Sequence, residues 1–581
     1  MMRGVLDISL RRRACLAALA GSAAAVLAGV PAAIAQQDVK QDWSDITQHA
    51  SPTSLAGENP RAVAADLDGN VYVTGRLANG NNWHMAVWKY DSAGTPQPGF
   101  PVVWPPLGEP RGTDFGGVAV AVRVWGISGQ GTVVSIPPEI YVVGYGRTDG
   151  PTGLNFIAMK LDAAGNVLWQ PPLLADPQDR AVYRYYEGLD DIPVAAAVNV
   201  EGHLYVTGTV ETNCCGTDIA TVKFDGDTGV LASFGRFMSG AGQGDDAPRD
   251  IALRSSGEPT WSGEQPPLPT PSGAEVFVVG SVLNDASRGE DYITLAFNKN
   301  ISNPFNLAEQ HLWHRYYYHP QNPADPLSPP SVPGGRDVAT SVAATTTDGY
   351  NDRVWVTGFS DGVGTGADYA TLCYDMYTGA DAWPNGPTGG VRYNNSSANG
   401  PDMAVKIVAG AEIGFGDKHV YVTGKSLNAD GNYDISTIAY TSGLAGPGGI
   451  PAWSPPIADA DNAVRFNGTA GGDDQPMDMT LAGTGGLVVT GSSDNGFGTD
   501  MRTIKYVRGN GDTPWLSTSI GFPQVPDGQS YAPMGMATAP NPNDPELPFI
   551  IVVGRAPGVL VTDPLRLGTV QYEQCAGNCP P

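Results

Sequence analysis

The sequence predicts an all-β fold: a single eight-bladed β-propeller made of four-stranded antiparallel blades. The main observation is a short apolar run ending in Gly that occurs eight times. Its terminal glycines are Gly75, Gly144, Gly208, Gly280, Gly358, Gly424, Gly491 and Gly554. Their spacing ranges from 63 residues (Gly491 to Gly554) to 78 residues (Gly280 to Gly358). That period is too long for a solenoid coil and fits one four-stranded blade with long loops.

Composition supports the same fold class. The chain of 581 residues contains 75 Gly and 49 Pro, and only 16% of its residues are charged while 41% are hydrophobic. Such a balance is typical of short strands joined by many turns.

The fifth copy shows the order of strands within a repeat most clearly. Strands are expected at 338–344, 354–358 and 368–374, with a fourth near Trp383. The second of these is apolar almost throughout, which is expected where both faces of a sheet are covered by neighbouring blades.

The two ends of the propeller are expected to meet in the last blade. The third strand of the eighth copy, 567–572, leaves nine residues before the chain ends. We therefore expect residues 36–57, around Trp43, to supply the missing fourth strand of the propeller at 58–573 and so remove its open edge. Residues 574–581 then form a C-terminal tail.

Residues 1–35 have the pattern of a cleaved export signal. Three arginines, Arg11 to Arg13, precede an Ala-rich apolar stretch that ends in Ala33-Ile34-Ala35. Cleavage after Ala35 and a periplasmic or extracellular location are expected. The adjacent arginines leave both the twin-arginine and the general secretory routes open.

Net charge excludes some partners. The formal charge is −26, and removal of residues 1–35, which carry four Arg and one Asp, makes it about −29. This argues against nucleic acid and against anionic membrane surfaces. The mature chain has no other apolar run long enough to span a bilayer.

The protein is expected to be a monomer that binds an unidentified protein or polysaccharide.

The repeat resembles a known family. The strand and turn Asp68-Gly-Asn-Val-Tyr-Val-Thr-Gly75 and the later turn Lys160-Leu-Asp-Ala-Ala-Gly165 are similar to the bacterial SBBP-type β-propeller repeat over about residues 58–573. The resemblance implies a propeller in an envelope or extracellular setting and no shared catalytic residues. A weaker likeness to quinoprotein propellers is seen in the turn Asp375-Met-Tyr-Thr-Gly379 followed by Trp383.

Two sets of polar residues, mostly acidic, recur in register. The first set lies before the innermost strand and comprises Glu58, Asp114, Asp191, Asp246, Asp337, Asp402 and Asp474. The second set opens the third strand and comprises Asp218, Asp291, Asp368, Asp434 and Asp500. Strands one and three of a meander begin at the same end, so both sets are expected at one opening of the ring.

Two interpretations of the acidic residues remain open. Carboxylate oxygens suit Ca²⁺ or another hard cation, so Ca²⁺ is the cofactor that these residues suggest. Alternatively, each Asp caps backbone N–H groups at a strand entrance, once in every blade.

Five cysteines remain after the predicted cleavage. Cys575 and Cys579 are close enough in sequence to close a small disulfide loop, and Cys214 and Cys215 to form a vicinal bridge. The alternative is that all are reduced. Cys373 lies in a predicted strand and is expected to be a buried apolar residue.

The functional prediction is an exported, non-enzymatic binding scaffold that uses the acidic, loop-bearing opening. The alternative is a calcium- and quinone-dependent periplasmic oxidoreductase, which requires the Cys214-Cys215 pair, Ca²⁺ and a carboxylate base at one site. A third possibility is a purely structural spacer. No catalytic residue is assigned.

Overall fold

A computed structural model shows the protein as an all-β chain, and its described part contains no helix. The described residues are 39–47, 58–80, 82–107, 114–147, 153–172, 181–185, 189–213, 216–237, 244–259, 265–270, 273–285, 289–302, 310–318, 335–346, 352–362, 364–383, 389–410, 419–442, 449–453, 460–468, 470–483, 486–508, 515–516, 531–539, 541, 547–556 and 566–574.

Each of the eight signature glycines lies in the second strand of an antiparallel meander, and we call these meanders repeats 1 to 8. The first strand of the chain is β1 (Val39–Thr47), and the strands of repeats 1 to 4 follow: β2 (Glu58–Ala65), β3 (Val71–Asn79), β4 (Asn82–Tyr90) and β5 (Val102–Trp104); β6 (Gly116–Ile127), β7 (Val133–Gly146), β8 (Asn155–Asp162), β9 (Val167–Trp169) and β10 (Val182–Tyr183); β11 (Asp191–Val198), β12 (Leu204–Glu211), β13 (Thr217–Phe224) and β14 (Leu231–Phe237); β15 (Ala247–Leu253), β16 (Ala274–Asp285), β17 (Gly289–Asn298) and β18 (Trp313–Tyr317).

Repeats 5 to 8 have the same order of strands. They consist of β19 (Gly335–Thr345), β20 (Arg353–Gly362), β21 (Gly366–Asp375) and β22 (Val391–Tyr393); β23 (Asp402–Ala409), β24 (His419–Leu427), β25 (Tyr433–Thr441) and β26 (Val464–Phe466); β27 (Asp474–Leu481), β28 (Gly486–Asp494), β29 (Thr499–Val507) and β30 (Trp515–Leu516); and β31 (Ala532–Ala539), β32 (Phe549–Ala556) and β33 (Arg566–Gln574).

The N-terminal strand β1 pairs antiparallel with β33, so the sheet of repeat 8 has the order β1-β33-β32-β31. Trp43 pairs with Gln571 in this ladder. The fourth strand of the last sheet therefore comes from the opposite end of the chain.

Pairing between named strands departs from eight separate sheets where repeats 4 and 5 meet. Two parallel pairs, Gly289 with Gly335 and Glu290 with Arg336, join β17 to β19 and merge repeats 4 and 5 into one eight-stranded sheet. An ion pair of 2.8 Å between Arg336 and Glu290 lies at the same point. The sequence gives no indication of this bridge, because it depends on the spacing between two repeats.

The first strands of the repeats follow one another in space. Each of β2, β6, β11, β15, β19, β23 and β27 contacts the first strand of the next repeat, and β31 contacts β2. An apolar cluster lies between each pair of neighbouring repeats, including repeats 8 and 1, where Val73 and Trp88 pack with Ile551 and Val553. This explains why the second strands are apolar on both faces.

Hydrogen bonds from tryptophan also link neighbouring repeats. The indole Nε1 of Trp169, Trp313 and Trp453 donates to a backbone carbonyl of the next repeat, namely those of Gly226, Met376 and Arg508, at 2.9–3.0 Å. A directional bond at the edge of an apolar interface fixes how one sheet stacks on the next.

The signature glycines are required by a bulge in the neighbouring strand. Every first strand has a register shift opposite the glycine, for example between Pro60 and Ala62 and between Ala339 and Ser341. A Cβ at Gly75 would lie 2.7 Å from Cα of Pro60, and one at Gly358 would collide with the carbonyl oxygen of Val338. Only glycine leaves room for this close approach.

We predict that Gly358→Ala destabilises the protein by about 2 kcal/mol or more, because the added methyl group meets backbone that cannot move aside without disturbing the bulge. The control is Gly129→Ala, since a Cβ at Gly129 meets no atom within 4 Å. Chemical denaturation measures both variants. Equal stability of the two variants would contradict the proposed role of the close approach.

Candidate functional site: the loop face of the repeats

The two acidic sets lie in one row across the sheets, at the same end of the first and third strands, as the order of strands in a meander predicts. Asp402 pairs with Ser426 of the second strand, and Ser426 pairs with Asp434 of the third. Asp337, Ser360 and Asp368 form the same row in repeat 5. We call this end of the sheets, with the connections from second to third strands and from fourth to first strands, the loop face.

Most first-set carboxylates are buried and bind backbone. An oxygen of Asp191 accepts a hydrogen bond from Tyr185 N at 2.7 Å, Asp402 accepts one from Asn395 N at 2.7 Å, and Asp474 one from Gly468 N at 2.6 Å. Each donor lies in the connection that leads from the preceding repeat. These three aspartates thus fix the chain as it enters the first strand.

The other first-set residues differ in their contacts. Asp246 accepts from Leu283 N at 3.1 Å, in the connection from second to third strand of its own repeat. Asp114 is half-buried and forms an ion pair of 2.5 Å with Arg76 of the preceding repeat. Asp337 is buried. Glu58 opens β2, but its side chain lies outside the described part of the protein.

Burial raises the pKa of these carboxyls. It brings the pKa of Asp191 to about 8 and that of Asp402 to about 6, although hydrogen bonds to both carboxyls act in the opposite direction. The pKa of Asp474 is also raised, again mainly by burial. Desolvation therefore outweighs the local hydrogen bonds.

The second-set carboxylates pair with arginines that the sequence analysis did not single out. Asp218 lies 3.2 Å from Arg236, Asp368 lies 2.7 Å from Arg392 and Asp434 lies 3.1 Å from Arg465. The three arginines share a position on the fourth strand, and each precedes an aromatic residue in the sequence. That short Arg-aromatic pair is only a weak signal for them, because Arg315-Tyr316 of repeat 4 has the same pattern one residue out of register.

The remaining two second-set residues are not opposite an arginine at this position of a described fourth strand. Asp500 lies 4.0 Å from Arg502 of its own strand. In repeat 4, Tyr316 occupies the position of the arginine, since it pairs with Ile293 as Arg392 pairs with Ala370. Asp291 of that repeat is buried.

Arg465 ties together two neighbouring repeats. Its guanidinium donates to the hydroxyl of Ser426 at 2.7 Å, to Asp434 at 3.1 Å and to the hydroxyl of Tyr393 in repeat 5 at 3.2 Å. Ser426 in turn donates to Asp402. Arg392 makes the matching contacts one repeat earlier, to Ser360, Asp368 and Tyr317.

Second-set aspartates also hold the connections between second and third strands. Asp368 accepts from the hydroxyl of Thr365 at 3.0 Å, Asp434 from the amide of Asn428 at 2.7 Å and Asp500 from the amide of Asn495 at 2.8 Å. Three variable loops are thus anchored to the sheets by side chains of the same row.

The loop of repeat 7 presents an exposed aromatic side chain. Asn495 Oδ1 accepts hydrogen bonds from Phe497 N at 2.9 Å and Gly498 N at 2.8 Å, which closes a tight turn. The side chain of Phe497 at its tip is 83% exposed, more than any other large apolar residue in the described chain. The loop is therefore ordered while its apolar tip faces solvent.

The predicted cysteine pairs lie outside the described residues, so the disulfide predictions for Cys214 with Cys215 and Cys575 with Cys579 remain predictions. Cys373 is buried and free.

Within the described ranges, no three or more His, Cys, Asp or Glu residues are arranged to hold a metal ion. The described residues likewise include no helix long and apolar enough to cross a membrane.

Two histidines of repeat 4, His311 and His314, lie in contact. If His311 and His314 shared a strand, their side chains would point to opposite faces. The structure places His311 before β18, and its Nε2 lies 2.9 Å from Nδ1 of His314. Two imidazoles in contact do not by themselves make a metal site.

Comparisons with known proteins give only distant structural likenesses. No family model matches the chain, and no curated protein does. Sqt1 from Chaetomium thermophilum is 8% identical, with a TM-score of 0.42 over 90% of this chain and 97% of that chain. A europium-containing methanol dehydrogenase is 11% identical, with a TM-score of 0.39 over 92% and 93%. The polysaccharide lyase Uly1 is 11% identical, with a TM-score of 0.37 over 89% and 90%. TM-scores this low carry no argument about the activity of this chain.

The raised pKa of Asp191 makes a prediction about pH. Because the folded-state pKa of about 8 lies above the unfolded value of about 3.9, the folded state binds the proton more tightly. The stability that this proton provides is complete below about pH 4 and is lost as the pH rises towards 8. Asp191→Asn removes this dependence. The melting temperature of Asp191→Asn, relative to that of the wild type, should therefore rise from pH 5 to pH 8. A difference in melting temperature that does not change with pH would contradict the assignment.

The Arg465 network predicts a strong coupling. Arg465→Ala should destabilise the protein by about 3 kcal/mol or more, because it leaves the buried Asp434 carboxylate without its cation. In a double-mutant cycle with Asp434→Ala, the two effects should fall short of additivity by about 1 kcal/mol or more. The control is Arg315→Ala, because the guanidinium of Arg315 donates to two backbone carbonyls rather than to a carboxylate. Additive effects would show that the ion pair is not a stabilising unit.

Proposed function

We propose that the protein is an exported, closed eight-bladed β-propeller that binds a protein or polysaccharide through its loop face. The closed ring is supported by the cyclic contacts of the first strands, by the apolar cluster between repeats 8 and 1, and by the pairing of β1 with β33. Export is supported by the sequence of residues 1–35.

One observation carries the binding function: buried aspartates hold loops of different sequence in fixed conformations at one face. Holding a loop in place before binding reduces the entropy lost when a partner binds. Variable loops on a rigid frame are a common arrangement for recognition. A structural spacer does not need this, because it gains nothing from ordering the tips of its loops.

Phe497 is the proposed anchor of this face. Exposed aromatic residues that become buried contribute much of the binding energy at protein interfaces. Asp473 is exposed and Asp494 is half-buried nearby, and Asp494 N donates to the carbonyl of Asp473 at 3.3 Å. The aromatic tip is thus flanked by negative charge, which favours a partner whose contact surface is neutral or basic.

The quinone-dependent alternative receives no support from the described residues. Its required cysteine pair lies outside them. It remains a prediction from the sequence.

The test uses a photo-cross-linking amino acid at position 497 in cells that produce the full chain. We expect a discrete cross-linked product, either a protein adduct or one that a glycan-degrading treatment removes. The control position is 168, since Leu168 is also exposed, at 52%, but belongs to the outer strand β9. With the purified partner, Phe497→Ala should weaken binding about tenfold or more. The same products at both positions, or none at 497, would contradict the proposal.

A further inference from the structure

Two arginines from opposite ends of the chain lie together where repeats 8 and 1 meet. Arg61 is the bulged residue of β2 and is exposed, while Arg555 follows the signature Gly554 in β32 and is half-buried. Strands β2 and β32 are in contact. The Nε of Arg555 donates to the side-chain oxygen of Asn59, two residues before Arg61, at 2.8 Å.

Within the described residues, neither guanidinium pairs with a carboxylate. Burial lowers the pKa of Arg555, and the positive charge of Arg61 lowers it further. Two cations close enough to repel each other are unexpected in a chain with a net charge of −26, which offers many carboxylates.

In repeat 1, the corresponding arginine pairs with a carboxylate of the chain itself. Arg76 follows signature Gly75 just as Arg555 follows Gly554, and it reaches Asp114 before the first strand of the next repeat at 2.5 Å. Arg555 meets the neutral amide of Asn59 instead. Arg555 is therefore oriented by the next repeat through a neutral amide. The first-set residue at the position of Asp114 is Glu58, whose side chain lies outside the described part of the protein.

We propose that Arg61 and Arg555 form a binding site for an oxyanion group, a carboxylate or a phosphate, at the inner edge of the loop face. A guanidinium offers paired N–H donors that match two oxygens of such a group. Asn59 fixes the orientation of Arg555, and the bulge directs Arg61 to solvent. A bound anion would relieve the repulsion between the two cations. The site needs only the contact between repeats 8 and 1, so it does not depend on the proposed partner of Phe497.

The experiment is calorimetric titration of the purified chain with inorganic phosphate and, separately, with glucuronate, up to about 10 mM, which detects dissociation constants in the millimolar range. Saturable binding of one equivalent of either probe is expected, and the stronger probe identifies the source of the anion. Arg61→Gln and Arg555→Gln should each weaken it about tenfold or more. Arg249→Gln is the matched control, because Arg249 is the exposed bulged residue of β15 but is followed by Asp250; it should bind as the wild type does.

Thermal melting keeps the test valid for variants of reduced stability. The bound probe should raise the melting temperature of the wild type and of Arg249→Gln, and not that of Arg61→Gln. Absence of saturable binding, or equal binding by all variants, would overturn the proposal. Binding that appears only after Glu58→Gln would also overturn it, because the chain's own carboxylate would then occupy the site.

Discussion

The close approach of each signature glycine to the bulged first strand is the constraint on which the other features depend. The bulge inserts one residue into the first strand, as between Pro193 and Ala195, and Gly208 lies against the shifted backbone with a would-be Cβ only 2.6 Å from Cα of Pro193. The extra residue turns a side chain away from the sheet, and Arg61 is exposed for this reason. On the N-terminal side of the bulge, the first strand pairs in the register that brings Asp191 level with Asp218, through Val210.

That register aligns the carboxylates in a row, and their hydrogen bonds hold the connections between strands. Asp474 holds the incoming connection, whereas Asp500 holds the loop between the second and third strands. Arginines such as Arg465 compensate the buried charge and extend the network to the neighbouring repeat. Stacking of the sheets and ordering of the loops are therefore parts of one hydrogen-bonded system, which is what a recognition surface requires.

The sequence predicted the repeats well because their signal is local and recurs eight times. It also predicted that both acidic sets share one end of the sheets, since strand order alone determines this. It did not reveal the arginine partners. Which Arg on a fourth strand lies opposite an Asp on the third depends on the register of the two strands, and connections of variable length give no indication of that register. The tryptophan opposite Gly379 is likewise Trp313 of the preceding repeat rather than Trp383 of the same one, because packing between sheets crosses repeat boundaries.

The pairing of β1 with β33 joins the two ends of the chain, and closure of the proposed ring depends on it. Hydrogen–deuterium exchange of the intact protein, resolved by peptide, measures this directly, since paired amides exchange slowly and unpaired ones do not. Amides of Val39–Thr47 are expected to be protected to about the same degree as those of Arg566–Gln574. Exchange of Val39–Thr47 at the rate of an unstructured peptide, with Arg566–Gln574 still protected, would contradict it.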